Sequence, residues 1–247
     1  MYTGMLIPLD GSKTAEKVLP HARYLAARLE TPVELLAVID IAELAAQVSP
    51  EKARFLNTII NDGERQSKEY LSKIAATFPG RGVKCTIEKG RAADAIIGRG
   101  DADTGMLIAM GTHGRSGMNR WLLGSVAEKV LRGTANPLLL VRATDEAKSE
   151  GEATLKSIMV PLDGSEIAAS VLPMVAGLAK NLGIEVELFR AFNIPYSVYG
   201  TGDGYYAVNI EELINEVGNE AREYLEKMSA ELKKLGVAKV TCTTKEG

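Results

Sequence analysis

Apolar residues in the first part of the chain alternate between short continuous runs and longer amphipathic stretches. The runs Met5–Pro8 and Val33–Ile39 are typical of strands that are buried on both faces of a parallel sheet. Between them, apolar positions recur at spacings of three and four, which predicts a helix over Lys13–Leu29 with Ser12 as its N-cap. Because the two patterns keep alternating, the sequence predicts βαβ units and a parallel α/β sheet with helices on both faces.

The later elements complete five strands. A helix is expected from Ser49-Pro50 to about Phe78, with a break near Asn61-Asp62-Gly63, where turn-forming residues interrupt the pattern. After it we expect strand, helix, strand, helix and strand at Val83–Glu88, Arg91–Arg99, Met106–Met110, Ser125–Leu131 and Leu138–Val141.

The chain then repeats itself. Met5–Ser12 and Ile158–Ser165 read Met-Leu-Ile-Pro-Leu-Asp-Gly-Ser and Ile-Met-Val-Pro-Leu-Asp-Gly-Ser, 153 positions apart. Val83–Gly90 aligns with Val240–Gly247 at a slightly larger offset, and the sequence ends there, so we expect the second copy to be incomplete after its third strand. The predicted organisation is a complete copy, a polar linker and a second copy, at residues 1–143, 144–154 and 155–247.

Composition excludes several classes of protein. A net charge of −3 argues against a broad basic surface for nucleic acid, and no apolar run approaches the roughly 20 residues of a membrane span. The first strand begins almost at once, so we expect no signal peptide and a cytoplasmic protein. With Cys85 and Cys242 as its two cysteines, the chain suits neither a disulfide framework nor a structural zinc site, and both are expected to be small buried residues.

Candidate chemistry follows the fourth predicted strand. The sequence there has the spacing Gly-x2-Gly-x9-Gly-Ser, formed by Gly111, Gly114, Gly124 and Ser125. Glycines allow the backbone to approach an anion, and the N-terminus of the helix that follows favours a phosphate. The spacing is neither a Walker A loop nor a Gly-x-Gly-x-x-Gly fingerprint, which argues against P-loop hydrolysis and hydride transfer. A glycine-rich connection that binds nothing is the alternative interpretation.

This loop, together with Pro8-Leu-Asp-Gly-Ser12, resembles the universal stress protein family. The resemblance implies a Rossmann-like fold with the flavodoxin-like strand order 3-2-1-4-5. It also implies that ATP binds in the first copy, with a divalent cation such as Mg²⁺ held mainly by the phosphates. The nucleotide-binding residues that it implies are Pro8, Leu9, Asp10, Val38, Met110, Gly111, His113, Gly114, Arg115, Gly117, Gly124, Ser125 and Val126.

The residues leave several roles and functions open. Asp10 either contacts the nucleoside or only shapes its turn, Ser125 either caps a helix or contacts phosphate, and His113 has no identifiable nucleophile or orienting carboxylate beside it. We therefore expect no catalytic residues and an ATP-dependent stress or regulatory protein with one site per chain. The alternatives are a slow ATPase or related nucleotide-processing enzyme, and an interaction module that binds no nucleotide. The expected partners are a second copy of the chain, in a homodimer or higher homo-oligomer, and a protein that the sequence does not identify.

Overall fold

In a computed structural model, the chain forms two compact units, Met1–Thr154 and Leu155–Gly247. The structure describes residues 2–41, 55–79, 82–112, 123–142, 150–151, 153–193 and 210–247. Each unit is built on its own parallel β-sheet. In these described ranges, none of the helices combines the length and the apolar composition that crossing a bilayer requires.

The sheet of the first unit has five parallel strands in the order β3-β2-β1-β4-β5. The strands are β1 (Met5–Pro8), β2 (Val33–Ile39), β3 (Lys84–Lys89), β4 (Leu107–Gly111) and β5 (Leu138–Val141). The predicted strand order 3-2-1-4-5 is confirmed. Because the chain builds from β1 outward to β3 and then crosses back to β4, the topological switch point lies between β1 and β4.

The described helices of the first unit follow the predicted pattern with two differences. They are a 3-10 helix (Ala15–Val18), α1 (Leu19–Leu29), α2 (Leu56–Ala75), α3 (Ala92–Asp101) and α4 (Ser125–Gly133). The expected single helix over Lys13–Leu29 is in two parts, because Pro20 has no N–H to donate to an earlier carbonyl and is accommodated in the first turn of α1. The expected break near Gly63 is wrong: α2 runs unbroken, and this glycine faces Ile39 of β2, whose Cδ1 lies 3.8 Å from where a Cβ would stand.

The core of the first unit forms where the central strands meet helices on both faces of the sheet. Leu6, Leu35, Leu36 and Ile108 have side chains that are fully or almost fully buried. One apolar cluster joins Leu6 and Leu36 to residues of β4, α3 and α4. Burial of each such side chain stabilises the fold by about 1.5–3 kcal/mol, which explains why these strands read as continuous apolar runs.

The second unit has a parallel sheet in the order β6-β7-β8. Its elements are β6 (Ser157–Pro161), α5 (Glu166–Ala169), α6 (Leu172–Leu182), β7 (Glu185–Phe192), α7 (Ile210–Lys234) and β8 (Val240–Glu246). Val186, Leu188 and Leu225 are fully buried in its core. The expectation that Cys85 and Cys242 are buried is wrong: both residues are exposed, since β3 and β8 are the outer strands of the described sheets.

Candidate functional site

The turn after β1 places Asp10 at the carboxyl end of the sheet. Leu9 still donates its N–H to the carbonyl of Leu36 on β2, at 2.8 Å. The backbone then reverses at Gly11, whose φ of 81° favours glycine. Oδ1 of Asp10 accepts the N–H of Ser12 at 2.9 Å, and Oγ of Ser12 accepts the N–H of Ala15 at 3.1 Å. Side chains of the turn thus fix both its shape and the start of the 3-10 helix.

A second turn forms the other wall of the site, between β4 and α4. Thr112 donates its N–H to the carbonyl of Val141 at 2.9 Å and accepts the N–H of Gly124 at 2.8 Å. Gly124 is the N-cap residue of α4 and brings no side chain to the first amides of that helix. Ser125 is therefore the first helical residue and is exposed, so the alternative in which it caps the helix is wrong. An uncapped helix N-terminus with a hydroxyl beside it is suited to an anion.

The sheet brings these two turns to the same edge. Leu6 of β1 pairs with Ile108 of β4, and continuing this parallel register places Pro8 beside Met110. Met110 is buried in the apolar cluster under this edge, and Val38 and Val126 pack against the same cluster. Pro8, Leu9, Asp10, Val38, Met110, Gly111, Gly124, Ser125 and Val126 are thus carried by the strand ends, turns and helix N-terminus around the switch point. His113, Gly114, Arg115 and Gly117 lie outside the described residues.

Three side chains that the sequence analysis did not single out lie next to the Asp10 turn. Glu16 is 5% exposed, and its carboxylate accepts hydrogen bonds from Nζ of Lys13 at 2.8 Å and from the hydroxyl of Tyr70 at 3.3 Å. Burial, with the neighbouring carboxylates of Glu16 and Asp10, raises the pKa of Tyr70 far above its usual range, so the phenol keeps its proton. The sequence pattern carried no signal for Glu16, because at helical spacing it lies off the apolar face formed by Ala15, Val18 and Leu19.

The ionisable side chains described beside the Asp10 turn are engaged with one another. The phenol of Tyr70 is held protonated, and the carboxylate of Glu16 is already paired with Lys13. Among the residues that the structure describes, no group of three or more His, Cys, Asp and Glu side chains could hold a metal ion.

The second unit repeats the first turn but surrounds it differently. Oδ1 of Asp163 accepts the N–H of Ser165 at 2.8 Å, and Oγ of Ser165 accepts the N–H of Ala168 at 3.0 Å. Gly164 has a φ of 94°, close to that of its counterpart in the first unit. A Cβ at Gly164 would stand 2.9 Å from a guanidinium nitrogen of Arg190, whereas a Cβ at Gly11 would meet no atom of the described residues within 4 Å. Among the described residues, the second turn therefore has a cation beside its glycine and the first does not.

Comparison with known proteins places this arrangement in context. A family model described as the universal stress protein family matches residues 1–142. Universal stress protein MJ0531 of Methanocaldococcus jannaschii is 28% identical over 144 residues, which cover 58% of this chain and 83% of that protein. Universal stress protein YxiE of Bacillus subtilis is 30% identical over 150 residues, covering 58% of this chain and 100% of that protein.

A solved structure extends the likeness of fold along the whole chain. The crystal structure of a universal stress protein from Archaeoglobus fulgidus aligns with a TM-score of 0.59 at 21% identity. The alignment covers 99% of this chain and 77% of that one. The architecture of both units is therefore similar to that of a solved protein.

Proposed function

The chain belongs to the universal stress protein family, and on that premise we propose that its first unit binds ATP at the switch point between β1 and β4. The protein acts as a nucleotide-dependent regulatory protein in the cytoplasm, and ATP occupancy sets its interaction with a protein partner or with further copies of itself. Mg²⁺ accompanies the phosphates. The adenosine lies toward Asp10 and Val38, and the phosphates lie toward the glycine loop and the N-terminus of α4.

One observation carries this proposal. The hydrogen bond from Gly124 to Thr112 draws the end of β4 and the start of α4 together, so that the loop between them begins and ends at one point. That point adjoins the carboxyl end of β1, because β1 and β4 pair in the sheet. A loop with the family's glycine spacing therefore starts and ends beside an uncapped helix N-terminus, in the crevice where open α/β sheets bind their ligands.

We propose that the two units are tandem copies of one fold and that nucleotide binds to the first. The shared hydrogen bonds of the Asp10 and Asp163 turns support the repeat. The spacing Gly-x2-Gly-x9-Gly-Ser occurs once in the sequence, at residues 111–125. The guanidinium of Arg190 next to Gly164 adds a second difference between the turns. Each chain thus carries one nucleotide site.

A charge placed at the start of α4 tests the proposal. Ser125→Glu puts a carboxylate at the first helical position, where it interacts favourably with the helix dipole but repels phosphate. We expect calorimetric titration with Mg-ATP to show at least tenfold weaker binding than in the unchanged protein. Thermal stability should be equal to that of the unchanged protein or slightly higher, because the new carboxylate interacts favourably with the dipole of α4.

Ala92→Glu is the matched control, since Ala92 is the first residue of α3 and α3 also follows a strand. This variant should bind Mg-ATP as the unchanged protein does. Equal weakening in both variants would reveal a general effect of charge. The proposed function fails if the unchanged protein binds no Mg-ATP, or if Ser125→Glu binds it with unchanged affinity.

A further inference from the structure

Two polar contacts join the 3-10 helix and α1 to α2 and to the residues just beyond its end in the first unit. Tyr70 donates to Glu16 at 3.3 Å, and the guanidinium of Arg23 donates to the hydroxyl of Thr77 at 2.8 Å. The partners step by seven residues on both sides, from position 16 to 23 and from 70 to 77. We call these two contacts the α1–α2 seam.

Arg23, which forms the second contact of the seam with Thr77, also bonds to the chain that follows β5. Nε of Arg23 donates to the carbonyl of Gly151 at 2.9 Å, and Ala153 donates its N–H to the carbonyl of Pro20 at 3.1 Å. We call Glu150, Gly151 and Ala153 the junction segment. Arg23 itself is only 5% exposed, and its bonds to Thr77 and Gly151 reach from this buried position to two exposed residues.

The junction segment also acts on the neighbourhood of the Asp10 turn. Lys13 is three residues beyond Asp10 and forms an ion pair with Glu16, which belongs to the first contact of the seam. The hydrogen bond and the charge of Glu16 raise the pKa of Lys13, and the charge of Glu150 adds to the same effect. The junction segment is therefore bonded to the Arg23 end of the seam, and the charge of Glu150 acts on Lys13 near the other end.

The internal repeat shows that the fold itself does not require this seam. With the offset of 153, Glu16 and Arg23 correspond to Ala169 and Ala176. Ala176 is 3% exposed and lies in an ordinary apolar core. Glu69-Tyr70-Leu71 recurs as Glu223-Tyr224-Leu225 at an offset of 154, so Tyr224 aligns with Tyr70, and its hydroxyl is buried without a hydrogen-bond partner among the described residues. The polar seam therefore belongs to the unit with the proposed nucleotide site, where it reaches the junction segment.

We propose that the α1–α2 seam links occupancy of the Asp10 turn to attachment of the junction segment, so that nucleotide binding tightens this segment on α1. The inference rests on the proposed function. A ligand packed against the turn restricts Ser12, whose hydroxyl accepts the N–H of Ala15 at the start of the 3-10 helix that carries Glu16. Glu16 holds Tyr70 on α2, and Thr77 just beyond the end of α2 holds Arg23. Because linkage is reciprocal, loosening the junction segment weakens nucleotide binding by the same factor.

Hydrogen exchange at the amide of Ala153, followed by NMR in the full chain, tests this linkage. In the unchanged protein we expect saturating Mg-ATP to slow this exchange at least threefold. Arg23→Met keeps an apolar side chain of similar length in the core, and it should speed the exchange and abolish the effect of nucleotide. Tyr70→Phe should leave Arg23 bonded to Gly151 but reduce the effect of nucleotide. Arg28→Met, on the exposed side of α1 away from the seam, is the control and should behave as the unchanged protein does.

The outcomes separate the linkage from the proposed function. If Mg-ATP binds and exchange at Ala153 does not change, the linkage is overturned while the nucleotide site stands. If Mg-ATP does not bind at all, both fail together. Reciprocity gives a second criterion. Arg23→Met should weaken Mg-ATP binding by the same factor by which Mg-ATP slows exchange at Ala153 in the unchanged protein. Unchanged affinity would contradict the linkage. Arg23→Ala provides the same comparison if the methionine variant folds poorly, because the second unit already carries alanine at this position.

Discussion

Gly124 donates its backbone N–H to the carbonyl of Thr112 at 2.8 Å, and this bond fixes the two ends of the glycine loop at one point. Gly124 is also the N-cap residue of α4, so the hydrogen bond that joins the two ends of the loop lies at the N-terminus of the helix. Since β4 pairs with β1, the Asp10 turn adjoins that point. The account of this protein as a nucleotide-binding member of its family depends on that junction of two turns.

The repeated turn provides a pair of matched substitutions. Asp10→Asn and Asp163→Asn both keep a side-chain oxygen that can accept the N–H two residues on, so each should change the free energy of unfolding by less than about 0.5 kcal/mol. Only Asp10 lies beside the proposed nucleoside site. We expect Asp10→Asn to weaken Mg-ATP binding threefold to tenfold, about the net contribution of one hydrogen bond. Calorimetric titration of both variants checks this, and equal affinities would remove Asp10 from the site.

Another matched pair tests the packing of the central strands. Leu6 and Met159 occupy equivalent positions of the repeat, but Leu6 is 0% and Met159 58% exposed. Leu6→Ala should cost about 2–5 kcal/mol, because it leaves a cavity in the cluster beneath the site. Met159→Ala should cost less than about 1 kcal/mol. Urea unfolding measures both changes, and similar costs would contradict the burial described for β1.

Glycine positions with different backbone conformations should respond in opposite directions to alanine. Gly63 lies inside α2 with ordinary helical space around it, so Gly63→Ala should stabilise the protein by about 0.5–1 kcal/mol. Gly183 ends α6 with a φ of 66°, so Gly183→Ala should destabilise it by about 1 kcal/mol. Thermal unfolding distinguishes the two. If Gly63→Ala instead destabilised the protein, α2 would have to lie closer to β2 than an alanine side chain at position 63 allows.

Acid should weaken the first unit through Glu34. Burial alone would raise the pKa of this carboxyl, but hydrogen bonds from Arg99 and Thr86 and the charges of Arg99 and Lys84 hold the pKa below its usual range. The stabilisation is therefore complete above the unfolded pKa of about 4.3 and is lost as the pH falls through the lower folded value. Glu34→Gln should flatten the fall in unfolding free energy below about pH 4.3.

Arg99→Met provides the second half of that experiment. Removal of the guanidinium should flatten the same part of the curve, since the two residues form one ion pair. The variant that carries both Glu34→Gln and Arg99→Met should show nearly the same pH dependence as either single variant, because each single change already breaks the ion pair. Steep acid dependence in both single variants would show that other carboxyl groups control it.

Much of the fold follows from the sequence, and the exceptions have identifiable causes. β1, β2 and β5 begin and end where their apolar runs do, because strands buried on both faces leave little freedom in the pattern. The two-part first helix depends on a missing amide at Pro20, whereas α2 continues unbroken through Gly63, which packs beside Ile39 of β2. Tertiary packing overrides local propensity in the second case.

Long-range polar contacts could not be predicted in the same way. Glu16 and Tyr70 are 54 positions apart, and Arg23 meets Gly151 across 128 positions. Periodicity indicates which face of a helix is buried, but it does not indicate which distant group satisfies a charge on that face. The glycine spacing gave the position of the candidate site because its residues are close together in sequence and follow a strand.

Nucleotide released from the purified protein tests the central claim most directly. Freshly purified protein is denatured by heat, and any nucleotide in the supernatant is identified and quantified by chromatography. If none is found, fresh protein is incubated with Mg-ATP, desalted to remove unbound nucleotide, and analysed in the same way. The account predicts about one ATP per chain. About two per chain would contradict the assignment of a single site to the first unit. None, before or after incubation with Mg-ATP, would contradict nucleotide binding altogether.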